Sequence, residues 1–477
     1  MKRDMFYWLS EINKASLVIN TKEKLLPEKY ASPFAKAIKK VIDAGDDETN
    51  PDAPRPSLVI TYEPHLIAEA GQEITRLHVG RSSQDMLTTA RICIIRENLL
   101  DLQSALITLI KTFYTLAKDH QTMLMPTYTN GVAAQPSTFT HYALGFCSAF
   151  DRDLQRLEEF YKRLNKSPMG STVLNGTGWP LNRDVMAAYL GFDEIAYNTF
   201  DITQLYTLEL PIEVSNVCNT IAIHISNFLQ DIAQQYAQPR PWIMLQEGGK
   251  NTYVSSAMPQ KRNPGLIIDC REGASNVLGA GNMALFRSHN LATGMPDTRR
   301  SETSELLQLT TKTVKQLTNI LNALVFDEAR ALEELNLDWT ASQEVADMLM
   351  LKYDIPFRLG HHIASEIVSY ARKHNYLPLT FPYDAVCKIY TSLVKEADLE
   401  EVPKAFPMSE EEFRSTLSPQ TIINNRSVKG GPQPSEIAIM FKQEAAKVDA
   451  HQNTHNLWIK KIEKALNTLD TEFHHFL

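Results

Sequence analysis

Between residues 91 and 118, apolar side chains recur in alternating steps of three and four: Ile92, Ile95, Leu99, Leu102, Leu106, Leu109, Phe113 and Leu116. A seam sustained for that length predicts one long helix. Cys93, Leu100, Ile107 and Tyr114 repeat every seven residues on a neighbouring face. A helix with two apolar stripes must be covered on two sides, so it belongs inside a bundle. Similar patterns at about 137–164, 205–236, 264–288 and 303–326, the last marked by Leu307, Val314, Leu317, Leu321 and Leu324, predict about five long helices in the middle of the chain. Glycine agrees, because 19 in 477 residues is about half the usual share of roughly 7%, too few for a turn-rich sheet protein.

Residues 1–88 are more mixed and carry Pro51, Pro54 and Pro56, while the region past 335 has shorter helical runs broken by Pro356, Pro378, Pro382, Pro403 and Pro407. The expected fold is all-α: an N-terminal cap domain (1–88), a central helical bundle (89–335) and a C-terminal helical domain (336–477). Doubly striped helices leave surface that a second copy of the chain would cover, which predicts a homo-oligomer.

Lys and Arg number 48 against 56 Asp and Glu, a formal charge of −8 without a basic stripe, so nucleic acid is not an expected partner. No run of 18 apolar residues and no apolar signal core near Met1 is present, so no membrane association is expected. Cys93, Cys147, Cys218, Cys270 and Cys387 lie far apart without a CxxC pair, which disfavours a disulfide framework or cysteine zinc site and fits a cytoplasmic protein. No dinucleotide or P-loop glycine motif occurs. His361 and His362 are adjacent and face different sides of a helix, a poor arrangement for one metal ion.

Chemistry concentrates in Ser255-Ser256-Ala257-Met258-Pro259-Gln260-Lys261-Arg262-Asn263-Pro264, preceded by Glu247-Gly248-Gly249-Lys250. Two serines, a lysine and an asparagine precede an apolar helix, with Pro264 suited to its first position. Backbone donors and a cation at a helix N-terminus bind and stabilise an anion. The glycine-containing loop ahead of them could close as a lid.

This string resembles the SSxMPxKxN signature of the fumarase/aspartase superfamily. It reads equally like adenylosuccinate lyases, but the flanking segments resemble argininosuccinate lyases. Met125-Pro126-Thr127-Tyr128-Thr129 with Ala134-Gln135-Pro136 is similar to their MPGYTHLQxAQP segment, and His78-Val79-Gly80-Arg81-Ser82-Ser83-Gln84-Asp85 to HTGRSRND. Ile355-Pro356-Phe357-Arg358, His361, Arg426 and Gly430-Gly431-Pro432 are similar to C-terminal landmarks, so the resemblance runs from about residue 10 to about 440. It implies a homotetramer with active sites shared among three protomers. It also implies reversible anti-elimination of fumarate from a substituted succinate, with no metal or organic cofactor. Position by position, Ser255 would take the Cβ proton, with Ser256 the alternative, while Lys261 and Asn263 would hold the carboxylate beside the carbanion. Ser82 and Thr129 would grip the succinyl carboxylates, Gln135, Thr177 and Met258 would line the pocket, and Arg81 would be a structural partner.

Three departures bear on the substrate. The family's acid histidine is Asn130 here, and its glutamate partner is Ile268, with Asp269 on the next helical face. A guanidine must be protonated as it leaves, whereas an alkylamine with a pKa near lysine's, about 10.4, arrives protonated. Across Met295–Thr303 the family's guanidino-reading residues are replaced, and Arg299 or Arg300 suits a carboxylate better than a cation. Ser83 and Gln84 stand where the family has Arg and Asn, which is closer to the SSND segment of fumarases. Asp85 reads as a cap or buried anchor, and His141 as a helical histidine that could stand in as proton donor.

The expected substrate is an N-substituted L-aspartate whose amine half is an alkylamine bearing carboxylate, as in ethylenediamine disuccinate. The alternatives are argininosuccinate lyase activity with a rearranged amine pocket, and a catalytically silent structural homologue in the manner of lens delta-crystallins.

Overall fold

A computed structural model describes residues 3–294 and 302–477. Three helices open the chain, α1 (Met5–Lys22), α2 (Ala31–Gly45) and α3 (Val59–Ala70). The bundle follows: α4 (Ser83–Asp119), α5 (Phe139–Leu164), α7 (Tyr206–Gln235), α8 (Gly265–Ser288) and α9 (Thr303–Ala323), with the short α6 (Arg183–Tyr189) between α5 and α7. The C-terminal part comprises α10 (Glu328–Leu337), α11 (Ser342–Tyr353), α12 (Phe357–His374), α13 (Tyr383–Ala397), α14 (Glu410–Thr416), α15 (Pro419–Asn425) and the long α16 (Pro434–His474). Strand content is confined to two-stranded pieces: β1 (Leu124–Thr129) with β2 (Val132–Thr138), β3 (Lys166–Ser167) with β4 (Glu194–Ile195), β5 (Ile243–Leu245) with β8 (Leu324–Phe326), and β6 (Tyr253–Val254) with β7 (Arg262–Asn263). The fold is therefore all-α in architecture, as the periodicity predicts, with small hairpins at the helix ends.

The polypeptide builds two main apolar cores, and they cut across the division at 88 and 335. Phe6, Trp8 and Phe34 of the first helices join Phe113, Phe150 and Phe228 of the bundle in one core, to which α16 adds Ile462, Leu466 and Phe473. The second core lies in α11–α15 and contains Leu349, Ile363, Tyr390 and Phe413. The 41-residue α16 thus leaves the C-terminal unit to pack along α1, α4 and α5.

That return explains one difference from the sequence reading. Both stripes of α4 are covered inside the protomer, by α1, α5, α9 and α16, so α4 makes no demand for a second copy. The uncovered helix is α8, which buries only Ile267, Cys270, Ala274, Val277 and Gly281. Ile268, Met283, Leu285 and Phe286 on it are exposed, Phe286 at 80%.

Polar contacts fix the relative directions of α4, α7 and α8. Gln235 at the end of α7 reaches Tyr128 in β1, which follows α4, and Ser288 at the end of α8 donates to the Leu208 carbonyl at the start of α7. The β1–β2 hairpin and the start of α8 therefore sit at one end of the bundle. The starts of α4 and α7 sit at the other. At about 1.5 Å per residue, the 37 residues of α4 hold these ends about 55 Å apart. Among the described residues, no helix is long and apolar enough to cross a membrane.

Candidate active site

The 255–263 string forms a tight hairpin. Tyr253 pairs with Asn263 and Val254 with Arg262, and the Ser255 amide donates to the Lys261 carbonyl at 3.2 Å, so Ser255 and Lys261 face each other across the turn. The Ser255 hydroxyl oxygen accepts the amides of Ala257 (3.3 Å) and Met258 (3.2 Å). Two donors converging on one oxygen favour its anionic form. The Lys261 side chain is exposed and has no ion-pair partner among the described residues. Asn263 donates through Nδ2 to the Tyr253 carbonyl at 3.3 Å, Arg262 pairs with Glu247 at 3.2 Å, and Met258 and Ser256 are exposed. Pro264 stands at the N-cap of α8, not at its first helical position. With φ −78° and ψ 77° its backbone has not yet turned into the helix, and no side chain caps that end. In the first turn of α8 the Leu266 amide donates to the Asn251 carbonyl at 3.2 Å, and the positive end of the helix dipole lies directly beyond the hairpin.

At the same end, β1 and β2 make a second hairpin whose tip is Asn130-Gly131, at φ +52° and +77°. An Asn-Gly pair with positive φ at both residues closes a two-residue turn matched to strand twist, which gives Asn130 a local reason to be asparagine. Thr129 and Asn130 are exposed, and Gln135 donates to Gln343 of α11 at 2.7 Å. Tyr128, one residue before Thr129, anchors the hairpin. Its hydroxyl donates to Glu334 of α10 and accepts from Gln235 (3.1 Å) and Trp242 (3.3 Å), and burial together with Glu334 pushes its pKa up to about 12. Sequence reasoning missed this anchor, although Asn-Gly between two extended runs was a hairpin signal. His141 is tethered by Nε2 to the Gly430 carbonyl at 3.0 Å, so that nitrogen carries its proton toward a structural partner.

Ser82, Ser83, Gln84 and Thr177 lie at the opposite end. Ser82 is the N-cap of α4, accepting from the Gln84 amide at 3.1 Å, and Asp85 answers by accepting the Ser82 amide at 2.8 Å. This reciprocal pair is a capping box. Ser83 is exposed and Gln84 half-buried. Arg81 is buried and donates to Ser16 at 3.0 Å, and burial lowers its pKa to about 10. The Thr177 hydroxyl accepts the Trp179 amide at 3.2 Å, and its methyl group packs beside Gly80, where a Cβ would come within 3.0 Å of it.

Within one chain the candidate residues therefore form two groups: Ser255, Met258, Lys261, Asn263, Thr129, Asn130 and Gln135 at one end, and Ser82, Ser83, Gln84 and Thr177 at the other. Among the described residues no hydrogen bond or ion pair joins the two groups. Arg299 and Arg300 lie outside the described residues. Ile268 is exposed on the first turn of α8, and Asp269 beside it is exposed as well. Among the described residues no cluster of three or more His, Cys, Asp or Glu side chains is placed to hold a metal ion.

Comparison with known proteins supplies the remaining context. Residues 30–279 match the lyase family, and residues 339–424 match the argininosuccinate lyase C-terminal family. Argininosuccinate lyase 1 of Shouchella clausii is 26% identical over 479 residues, covering 99% of this chain and 92% of its own length. Argininosuccinate lyase of Methanocorpusculum labreanum is 29% identical over 441 residues, covering 89% and 83%. Among solved structures, EDDS lyase in complex with formate superposes with a TM-score of 0.87 at 22% identity, covering 99% of this chain and 92% of that one. Class II fumarase of Schistosoma mansoni gives a TM-score of 0.69 at 16% identity, covering 90% and 92%.

Proposed function

Since the chain belongs to the lyase family, as an argininosuccinate lyase-like member of the fumarase/aspartase superfamily, we propose that this carbon–nitrogen lyase removes an alkylamine bearing carboxylate from an N-substituted L-aspartate, giving fumarate, or runs the addition in reverse. The observation that carries this reading is the Ser255 hydroxyl held by two backbone amides, with Lys261 across the turn and the α8 N-terminus, which no side chain caps, behind them.

A proton next to a carboxylate is very weakly acidic, and its removal needs fixed positive potential where the dianion forms. Lys261, Asn263 and the α8 amides supply that potential. Ser255 takes the Cβ proton, because the same field and its two amide donors lower the cost of its alkoxide. Ser82 and Thr129 grip the carboxylates, and Gln135, Thr177 and Met258 line the pocket. Asn130 has no titratable proton to give, which suits a leaving amine that is already protonated.

Ser82 and Ser255 at opposite ends of a bundle about 55 Å long can meet only if copies pack in opposite directions. The proposed assembly is a homotetramer whose sites combine segments from different protomers, with the exposed apolar face of α8 at the contact. Five free cysteines support cytoplasmic residence.

Argininosuccinate lyase activity is the second reading, and the Asn130-Gly131 turn favours it, since the asparagine is explained there without any change of leaving group. Incubating the protein with fumarate and a panel of amines, with loss of fumarate absorbance as the readout, separates the readings. Addition with diamines or amino carboxylates but not arginine supports the first, addition with arginine alone supports the second, and no addition with any amine leaves a silent homologue. Ser255→Ala should lower turnover at least about 10²-fold while the oligomer persists. Near-normal rate in Lys261→Met would overturn the mechanism.

A further inference from the structure

We propose that Asp85 is a positioning residue that locks two substrate-gripping segments together, the Ser82 turn and the 170–177 loop that carries Thr177. The proposal rests on the reading of Ser82 and Thr177 given above.

Asp85 is fully buried, and its carboxylate is shared between two segments far apart in sequence. One oxygen accepts the Ser82 amide at 2.8 Å, and the other accepts the amides of Gly170 and Thr172, each at 3.1 Å. A cap needs only the first of these bonds. The other two go to a loop with unusual backbone: Thr172 and Val173 have φ of +46° and +79°. Consecutive β-branched residues in the left-handed region are strained and persist only where the surroundings over-determine them. Here the surroundings are specific. Asp85 fixes the Thr172 amide, the Gly80 carbonyl takes the Thr172 hydroxyl at 2.9 Å, and the Val173 carbonyl accepts from Thr203 (2.7 Å) and Gln204 (2.9 Å), which lie in the π-helical turn Asp201–Leu205 that leads into α7. Glycine is the ordinary residue for such backbone, so the chain has kept a costly conformation and assigned it a buried carboxylate. The strained pair leads into the segment that ends at Thr177 beside Gly80, two residues before Ser82. Asp85 thereby sets the spacing of two hydroxyl groups that the loop and the helix start could not fix separately.

Asp85→Asn tests the coupling with little change in volume. An amide has one acceptor oxygen, so it can serve the Ser82 amide or the Gly170/Thr172 pair, while its NH₂ meets donors on the other side. The readout is fumarate affinity by calorimetry on the intact full-length protein, alongside hydrogen exchange at the Gly170 and Thr172 amides. The expected result is at least about tenfold weaker fumarate binding, similar to that of Ser82→Ala, with faster exchange at those amides and unchanged helix content. Adding Val173→Gly to Asp85→Asn should recover most of the lost affinity, because glycine holds the left-handed backbone without the carboxylate; a merely structural defect would not respond in that way. Full affinity in Asp85→Asn, where Ser82→Ala binds weakly, overturns the positioning role alone. Full affinity in both variants overturns the assignment of Ser82 and with it this proposal. If Asp85→Asn fails to fold, Asp85→Glu, which moves the carboxylate by one methylene, replaces it with the same expected and overturning results.

Discussion

Helices α4 and α8 belong to one bundle and meet opposite fates. Of the 37 residues of α4, 21 are buried, whereas α8 buries five of 24. Both carry apolar side chains at helical spacing, yet the two stripes of α4 are covered within the chain and α8 leaves Met283, Leu285 and Phe286 in solvent. Hydrophobic periodicity says that a face is covered. It does not say whether the cover comes from the same chain or from another copy.

The strongest way to break this contrast is at α8. Met283→Asp with Phe286→Asp adds two charges to one exposed face, three residues apart. We expect intact helix content, dissociation visible by sedimentation, and turnover lowered at least about 10³-fold, because dissociated protomers cannot bring the reacting groups together. A fully active monomer would remove the premise that the site is shared. Next in size is the opposite case, Phe113→Ala in α4. Phe113 is fully buried among Phe146, Phe150 and Phe228, with ring centroids at 5.7, 5.9 and 5.0 Å. Its truncation should cost about 3–5 kcal/mol in denaturant unfolding and leave assembly at low temperature unchanged.

The smallest effect sharpens the role of α16 as the wall over α4 and α5. Both ring nitrogens of the buried His451 meet carboxylates, Glu158 at 2.7 Å and Asp151 at 2.9 Å. Burial works against its charge, but the hydrogen bonds and charges of Glu158 and Asp151 prevail and raise its pKa above the ordinary histidine value. A raised folded-state pKa contributes stability that is complete below the unfolded value of about 6.5 and is lost as pH rises through the folded value. Melting temperature should therefore fall across that alkaline-side window. His451→Gln should flatten the profile and cost about 1.5–3 kcal/mol at pH 6. An unchanged profile would take His451 out of the account.

Much of this contrast was legible in the chain itself. The spacing at 205–236 and 264–288 anticipates α7 and α8 within a residue at each end, because long periodic segments over-determine a helix. Leu324, read as the end of a seam, opens β8 instead, where the Leu245 pairing takes over. The first hairpin escaped notice because Pro126 and Pro136 interrupt its strands and face each other in its ladder. The signature string announced its chemistry through residue types alone. The partners of Asp85 could not be read in the same way, since Gly170 and Thr172 lie 85 and 87 residues away and offer only backbone amides, which every residue except proline has.

The docking of α16 also carries a temporal consequence. Gln103 of α4 is bonded to His455 of α16 across 352 residues of chain. At about 5–20 residues per second, a ribosome needs roughly 20–70 s to travel that distance. For that interval the nascent α4 shows an apolar flank to solvent, a waiting surface for a chaperone to shield until translation delivers its lid.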